Sequence, residues 1–194
     1  MSYRSLRVHE EVVSVDNSTA GTDRDGQVKM FREAALGLVD AAKERRDNMT
    51  EKIARVVEII NRSENKDDHF LLWHDLEAER EALCKAIPGC KAVYGSQDDE
   101  KADRVIADFK DGRLKYLAAK PEMLGEGLNF QYHCHKAIMF IDYRFNDKFQ
   151  AIARIYRFMQ QHPVDLYLVY AESEGEIYKS FMQKWAQHRQ MVAE

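Results

Sequence analysis

Gln150-Ala-Ile-Ala-Arg-Ile-Tyr-Arg-Phe-Met-Gln160 is the stretch on which the reading of this chain turns. It follows an apolar run, Ala137-Ile-Met-Phe-Ile-Asp142, and a turn-like segment around Asn146. At helical period, Gln150, Arg154, Arg157 and Gln161 fall at i, i+4, i+7 and i+11, on one face. Ile152, Ile155 and Met159 fall on another. The pattern predicts a helix with two arginines and two glutamines on one side and an apolar stripe on the other. By itself that describes any amphipathic helix with a solvated basic face. Its meaning depends on what the rest of the chain puts beside it.

Working outward, strands and helices alternate. His69-Phe-Leu-Leu-Trp-His74 reads as a buried strand, Leu76–Ile87 as a helix, and Cys90–Tyr94 as a second short strand. Residues 99–110 read as a helix, with Val105, Ile106 and Phe109 on its apolar side, and Asp98-Asp99-Glu100 as its capped start. Leu114–Ala119, Lys136–Ile141 and Val164–Tyr170 are three more strands, and Glu176–Val192 is a closing helix. Helices of about a dozen residues between strands predict right-handed crossovers and a mostly parallel, doubly wound sheet with helices on both faces. Ligands of such sheets bind outside the carboxyl ends of the strands. The functional edge is therefore expected around Trp73-His-Asp75, Tyr94-Gly-Ser-Gln97, Ala119-Lys-Pro-Glu122 and Asp142-Tyr-Arg144.

Before residue 61 the pattern differs. A short extended-looking piece spans Val8–Val15, a loop follows, and residues 28–60 have helical periodicity, broken near Asp47–Thr50 with Thr50 as a cap. Residues 1–60 are thus expected to be an extension and 61–194 the main domain. An apolar stripe on the extension's helices would give weak self-association.

Composition narrows the function classes. The chain has 194 residues, 45% of them hydrophobic and 32% charged, as in a folded globular protein. A net charge of −4 argues against a protein held to DNA by bulk charge alone, but allows a local basic groove. No apolar run has the length of a membrane span, and the first residues lack a signal peptide's apolar core. Three cysteines without framework spacing suggest a reducing, cytoplasmic setting. His133-Cys-His135 offers too few ligands for a structural metal site, so no metal ligand is assigned. The chain contains no Gly-x-x-x-x-Gly-Lys-Ser/Thr phosphate loop and no Gly-x-Gly-x-x-Gly after its first strand. The loop Lys120-Pro-Glu-Met-Leu-Gly-Glu-Gly-Leu-Asn-Phe-Gln131 places Gly125 and Gly127 at a strand's carboxyl end, where backbone N–H groups can approach a ligand.

Leu124-Gly-Glu-Gly-Leu-Asn-Phe130 followed by Gln150–Gln160 resembles the fifth and sixth motifs of superfamily-two helicases. The closest branch is the Swi/Snf-like ATPases, whose sixth motif runs Gln-Ala-x-x-Arg-x-x-Arg-x-Gly-Gln. Lys120-Pro121, Gly127–Gln131, Arg157-Phe158 and Ala171-Glu-Ser-Glu-Gly175 look most like bacteriophage and prophage members. The match covers roughly residues 50–194 and corresponds to the C-terminal RecA-like domain. Ala153 and Met159 stand where the family usually has glycine.

The resemblance implies one wall of an ATP site completed by an N-terminal RecA-like domain that carries the phosphate loop and the acidic metal motif. Arg157 would be the arginine finger, assisted by Arg154, with Gln150, Gly125 and Gly127 facing nucleotide. His74, Tyr94, Ser96 and Lys120 would contact the phosphates of DNA. ATP and Mg2+ would belong to the complete enzyme, in a bacterial or phage-infected cell, and the isolated chain is expected to be inactive. The alternative is a RecA-like module that binds nucleic acid or protein without any ATPase role.

Overall fold

The computed structural model describes residues 5–14, 48–124, 128–157 and 159–193. Six strands form one sheet: β1 (Leu6–Val13), β2 (His69–Trp73), β3 (Lys91–Val93), β4 (Tyr116–Ala119), β5 (Cys134–Phe140) and β6 (Val164–Ala171). Their order is β1-β6-β5-β2-β4-β3, and every pair is parallel. Among the described residues five α-helices accompany them: α1 (Met49–Asn61), α2 (Glu77–Ala86), α3 (Asp99–Lys110), α4 (Phe145–Ile152) and α5 (Gly175–Ala193).

The strands are apolar on both sides because both faces are covered, as an all-parallel sheet requires. Phe70, Leu72, Ala118, Ile138, Phe140 and Val169 face α1 and α2, where Ile53, Val56, Ile59 and Leu83 meet them. Leu71, Trp73, Leu117, Met139, Leu166 and Leu168 belong to a second cluster, completed by Phe109 of α3, Ile152 of α4, and Phe181 and Trp185 of α5. One sheet thus separates two apolar layers, and the carboxyl ends of all six strands lie along a common edge.

Residues before 61 take part in this architecture. β1 is the edge strand, in register with β6 from Leu6 opposite Val164 to Val13 opposite Ala171. The apolar stripe of α1 is buried against the sheet. Asn48, not Thr50, occupies the cap position of α1, and Thr50 lies in its first turn. Residues 15–47, where the remaining helical periodicity falls, lie outside the described residues. The start of α3 is as expected: the Asp98 side chain accepts a hydrogen bond from the Lys101 N–H at 3.2 Å.

The motif segment departs from the sequence reading. α4 begins at Phe145 and ends at Ile152, so the predicted helix over Gln150–Gln160 is not continuous. Arg154 and Arg157 follow in turns. Ile152 and Ile155 are buried, but Met159 is 60% exposed and has φ +71°. The break has a tertiary cause. The Phe130 N–H donates to the Arg154 carbonyl at 3.1 Å, drawing that backbone toward the loop after β4. The buried Gln160 side chain then fixes the exit, donating to the carbonyls of Cys134 (3.1 Å) and Ile155 (3.0 Å).

Candidate functional site

At the carboxyl edge, polar side chains emerge where apolar strands end. Asp75 follows β2 and Asp142 follows β5. Lys148 of α4 is fully buried and donates to Asp75 at 2.6 Å. Arg144 reaches Asp75 at 2.6 Å and Asp142 at 3.0 Å, and approaches Glu122 at 3.8 Å. This network joins the ends of β2 and β5 to α4, so it sets where α4 delivers the segment that follows it. Burial makes the geometry stringent, because an unpaired charge there is costly.

The two arginines turn back onto the loop after β4. Arg154 donates through Nη2 to the Leu124 carbonyl at 3.0 Å. Arg157 donates through Nη1 to Asn129 Oδ1. Leu124 and Asn129 bracket the stretch that carries Gly125 and Gly127; both glycines lie outside the described residues. Arg157 is partly exposed, and a guanidinium has five N–H donors in a planar fork, which suits it to a phosphate. Gln150, on the last turn of α4, is exposed.

The expected nucleic-acid contacts divide. Lys120 is ion-paired with Glu77 at 3.1 Å. The Arg80 guanidinium stacks 4.2 Å above the Tyr94 ring. Lys120 and Tyr94 therefore flank the first turns of α2, and Ser96 is exposed in the turn after β3. His74 is fully buried, and neither ring nitrogen has a hydrogen-bond partner among the described residues. Burial pushes its imidazole down from 6.5 to about 4, so it is neutral at physiological pH and turned away from solvent.

Sequence reasoning missed Asn129 and Gln160 as fastening points. Both stand inside the quoted motifs, but their partners are 28 and 26 residues away and leave no local mark.

The histidines of His133-Cys-His135 lie at the opposite edge. They line a cavity of about 490 Å³ with Arg7, Asp68, Lys136 and Asp165. Among the described residues no three His, Cys, Asp or Glu side chains gather into a group that could hold a metal ion. No helix among them is long and apolar enough to cross a membrane.

No protein-family model matches the chain, and no curated protein matches it. Solved structures do. The C-terminal part of the Fun30 ATPase domain is 17% identical, with a TM-score of 0.52 over 75% of this chain and 45% of that one. The C-terminal domain of an S. cerevisiae Dbp5 variant, bound to a Gle1 variant and IP6, is 14% identical, with a TM-score of 0.58 over 72% of this chain and 80% of that one. A second Dbp5 structure with the same partners is 16% identical, with a TM-score of 0.58, over 72% of this chain and 38% of that one. The fold is RecA-like, an all-parallel sheet with helices on both faces. At these identities the likeness concerns the fold, and this RecA-like domain spans less than half of the Fun30 chain that it matches.

Proposed function

We propose that this chain is the C-terminal half of an ATP-dependent DNA helicase or translocase of the Swi/Snf-like branch, working with an N-terminal RecA-like ATPase domain. The observation that carries the reading is the tethering of Arg154 and Arg157 to the two ends of the glycine loop after β4, at the carboxyl edge of the sheet.

In this reading ATP binds between the two domains. Phosphoryl transfer spreads negative charge over the γ-phosphate oxygens, and a guanidinium brought from the facing domain stabilises that charge. Arg157 is the finger. Arg154 holds the loop through the Leu124 carbonyl and keeps Arg157 in reach, while Gln150 faces nucleotide, as the resemblance implies for Gly125 and Gly127 also. Mg2+ would come with the nucleotide and the N-terminal half and would supply further charge neutralisation. Lys120, Tyr94 and Ser96 offer contacts to the DNA backbone, which position a protein without reading sequence. His74, being fully buried, makes no such contact. Opening and closing of the two-domain cleft then moves the protein along DNA. The phage or prophage affinity rests on Lys120-Pro121, Gly127–Gln131, Arg157-Phe158 and Ala171–Gly175.

The test is reconstitution. Alone, the chain should show no DNA-stimulated ATP hydrolysis. Joined to its N-terminal RecA-like half, from the neighbouring gene or the parent chain, it should hydrolyse ATP with DNA stimulation. Turnover by the isolated chain, or none in the joined protein with both halves folded, would sink the proposal and favour a stand-alone binding module.

A further inference from the structure

Cys84 and Cys90 are brought together by a tight turn at the far end of α2. Cys84 lies in the helix's last turn, and Cys90 immediately precedes β3. Between them runs Lys85-Ala-Ile-Pro-Gly89, in which Gly89 takes φ +81°, a left-handed conformation open to glycine at little cost. The Cys90 N–H closes the turn on the Ile87 carbonyl at 3.1 Å. The two Sγ atoms stand 3.9 Å apart. A disulfide needs them at about 2.0 Å.

The two sulfurs are not equivalent. Cys84 is partly exposed, whereas Cys90 is buried. A hydrogen bond from Cys90 holds the Cys84 thiol below its usual range, and the positive charges of Arg80 and Lys91 act the same way. Donating that bond, together with burial, pushes Cys90 up. Cys134 is a built-in control: it is enclosed in the core, and burial pushes it up to about 12.

We propose that Cys84 and Cys90 are a peroxide-oxidisable dithiol, with Cys84 as the attacking sulfur and Cys90 as the resolving one. The Cys84 thiolate attacks the terminal oxygen of a hydroperoxide. An S–O bond forms, the O–O bond breaks, and the departing alkoxide takes a proton to leave as the alcohol. Cys90 sulfur then attacks Cys84 sulfur. The S–S bond forms, the S–O bond breaks, and hydroxide leaves with the Cys90 proton as water. Two electrons pass from the thiols to the peroxide, giving disulfide, alcohol and water; with hydrogen peroxide itself the products are disulfide and two waters.

The test uses the whole reduced chain. Hydrogen peroxide is added at equal concentration, remaining thiols are blocked with N-ethylmaleimide, and the protein is digested with trypsin. Cleavage after Lys85 separates the two cysteines into peptides 81–85 and 86–91. The expected product is these two peptides joined by a disulfide, with Cys134 carrying the blocking group. Cys84 should also alkylate at least about tenfold faster than Cys134 at neutral pH, as a partly accessible thiol of lowered pKa does beside a fully enclosed one. In Cys90→Ser, peroxide should leave Cys84 as a sulfenic acid that dimedone traps. The proposal is overturned if Cys84 reacts no faster than Cys134. It is equally overturned if Cys84 oxidises while Cys90 remains open to alkylation.

Discussion

Met159 holds a backbone conformation, φ +71°, that costs a side-chain-bearing residue about 1–2 kcal/mol, and it stands where the Swi/Snf-like motif has glycine. The cost lies in the turn and not in packing, since Met159 itself is exposed. Ala153, the other departure, sits at φ −64° and needs no glycine. Met159→Gly should therefore raise stability by about 0.5–1 kcal/mol, after the entropy that glycine returns to the unfolded chain; an unchanged or lower denaturation midpoint would contradict the strained turn. His74 gives a second prediction. The unfolded chain takes up a proton near pH 6.5 but the folded chain only near 4, so stability is present at neutral pH and lost as pH falls through that window. The loss should approach about 3 kcal/mol between those limits. His74→Leu should flatten this slope in denaturant titrations across the range; an equally steep slope would move the cause to other groups. The sequence singled out both arginines as a pair, but it set them on a helical face. Ile155 kept the 3.6-residue period alive past Ile152, and nothing local announced that Phe130 would capture the Arg154 carbonyl.

Among the elements, α1 shows how a segment that reads as an appendage can be part of the fold. Lys52 on α1 and Glu174, just before α5, form a buried ion pair at 2.9 Å, although they are 122 residues apart. Glu174 also accepts from the Ala171 N–H at 2.8 Å, at the carboxyl end of β6. On the other side, Glu11 of β1 takes hydrogen bonds from Arg55 and Arg62. The helix is thus tied by charge to both flanking elements while its apolar stripe packs on the sheet. Lys52→Ala should cost about 3–5 kcal/mol, because it strands Glu174 in the interior. Lys52→Met with Glu174→Leu should recover most of that loss. If the single substitution is nearly neutral in chemical denaturation, the pair is not holding α1. The periodicity of α1 was visible in the sequence; its ionic partners were not, because charge pairing across such separations has no periodic signature.

For the molecule as a whole, the strands that are buried on both sides were legible as apolar runs between turns, and the alternation with helices foretold a parallel sheet. β1 was read only as a short extended piece, because its place beside β6 is set by the register of two strands that are far apart in sequence. The carboxyl edge was anticipated from topology, and the structure brings Asp75, Asp142, Arg144 and Lys148 together there in one network. What topology could not supply was the fastening of Arg154 and Arg157 to Leu124 and Asn129. That fastening gives the proposed ATPase role its most direct measurement: steady-state, DNA-stimulated ATP hydrolysis by the joined two-half protein carrying Arg157→Ala. The account predicts a fall in kcat of about 10³–10⁵, with DNA binding and folding retained, since a finger acts on the transition state. Hydrolysis within a few-fold of the unsubstituted protein would contradict it and leave Arg157 as a loop-holding residue of a binding domain.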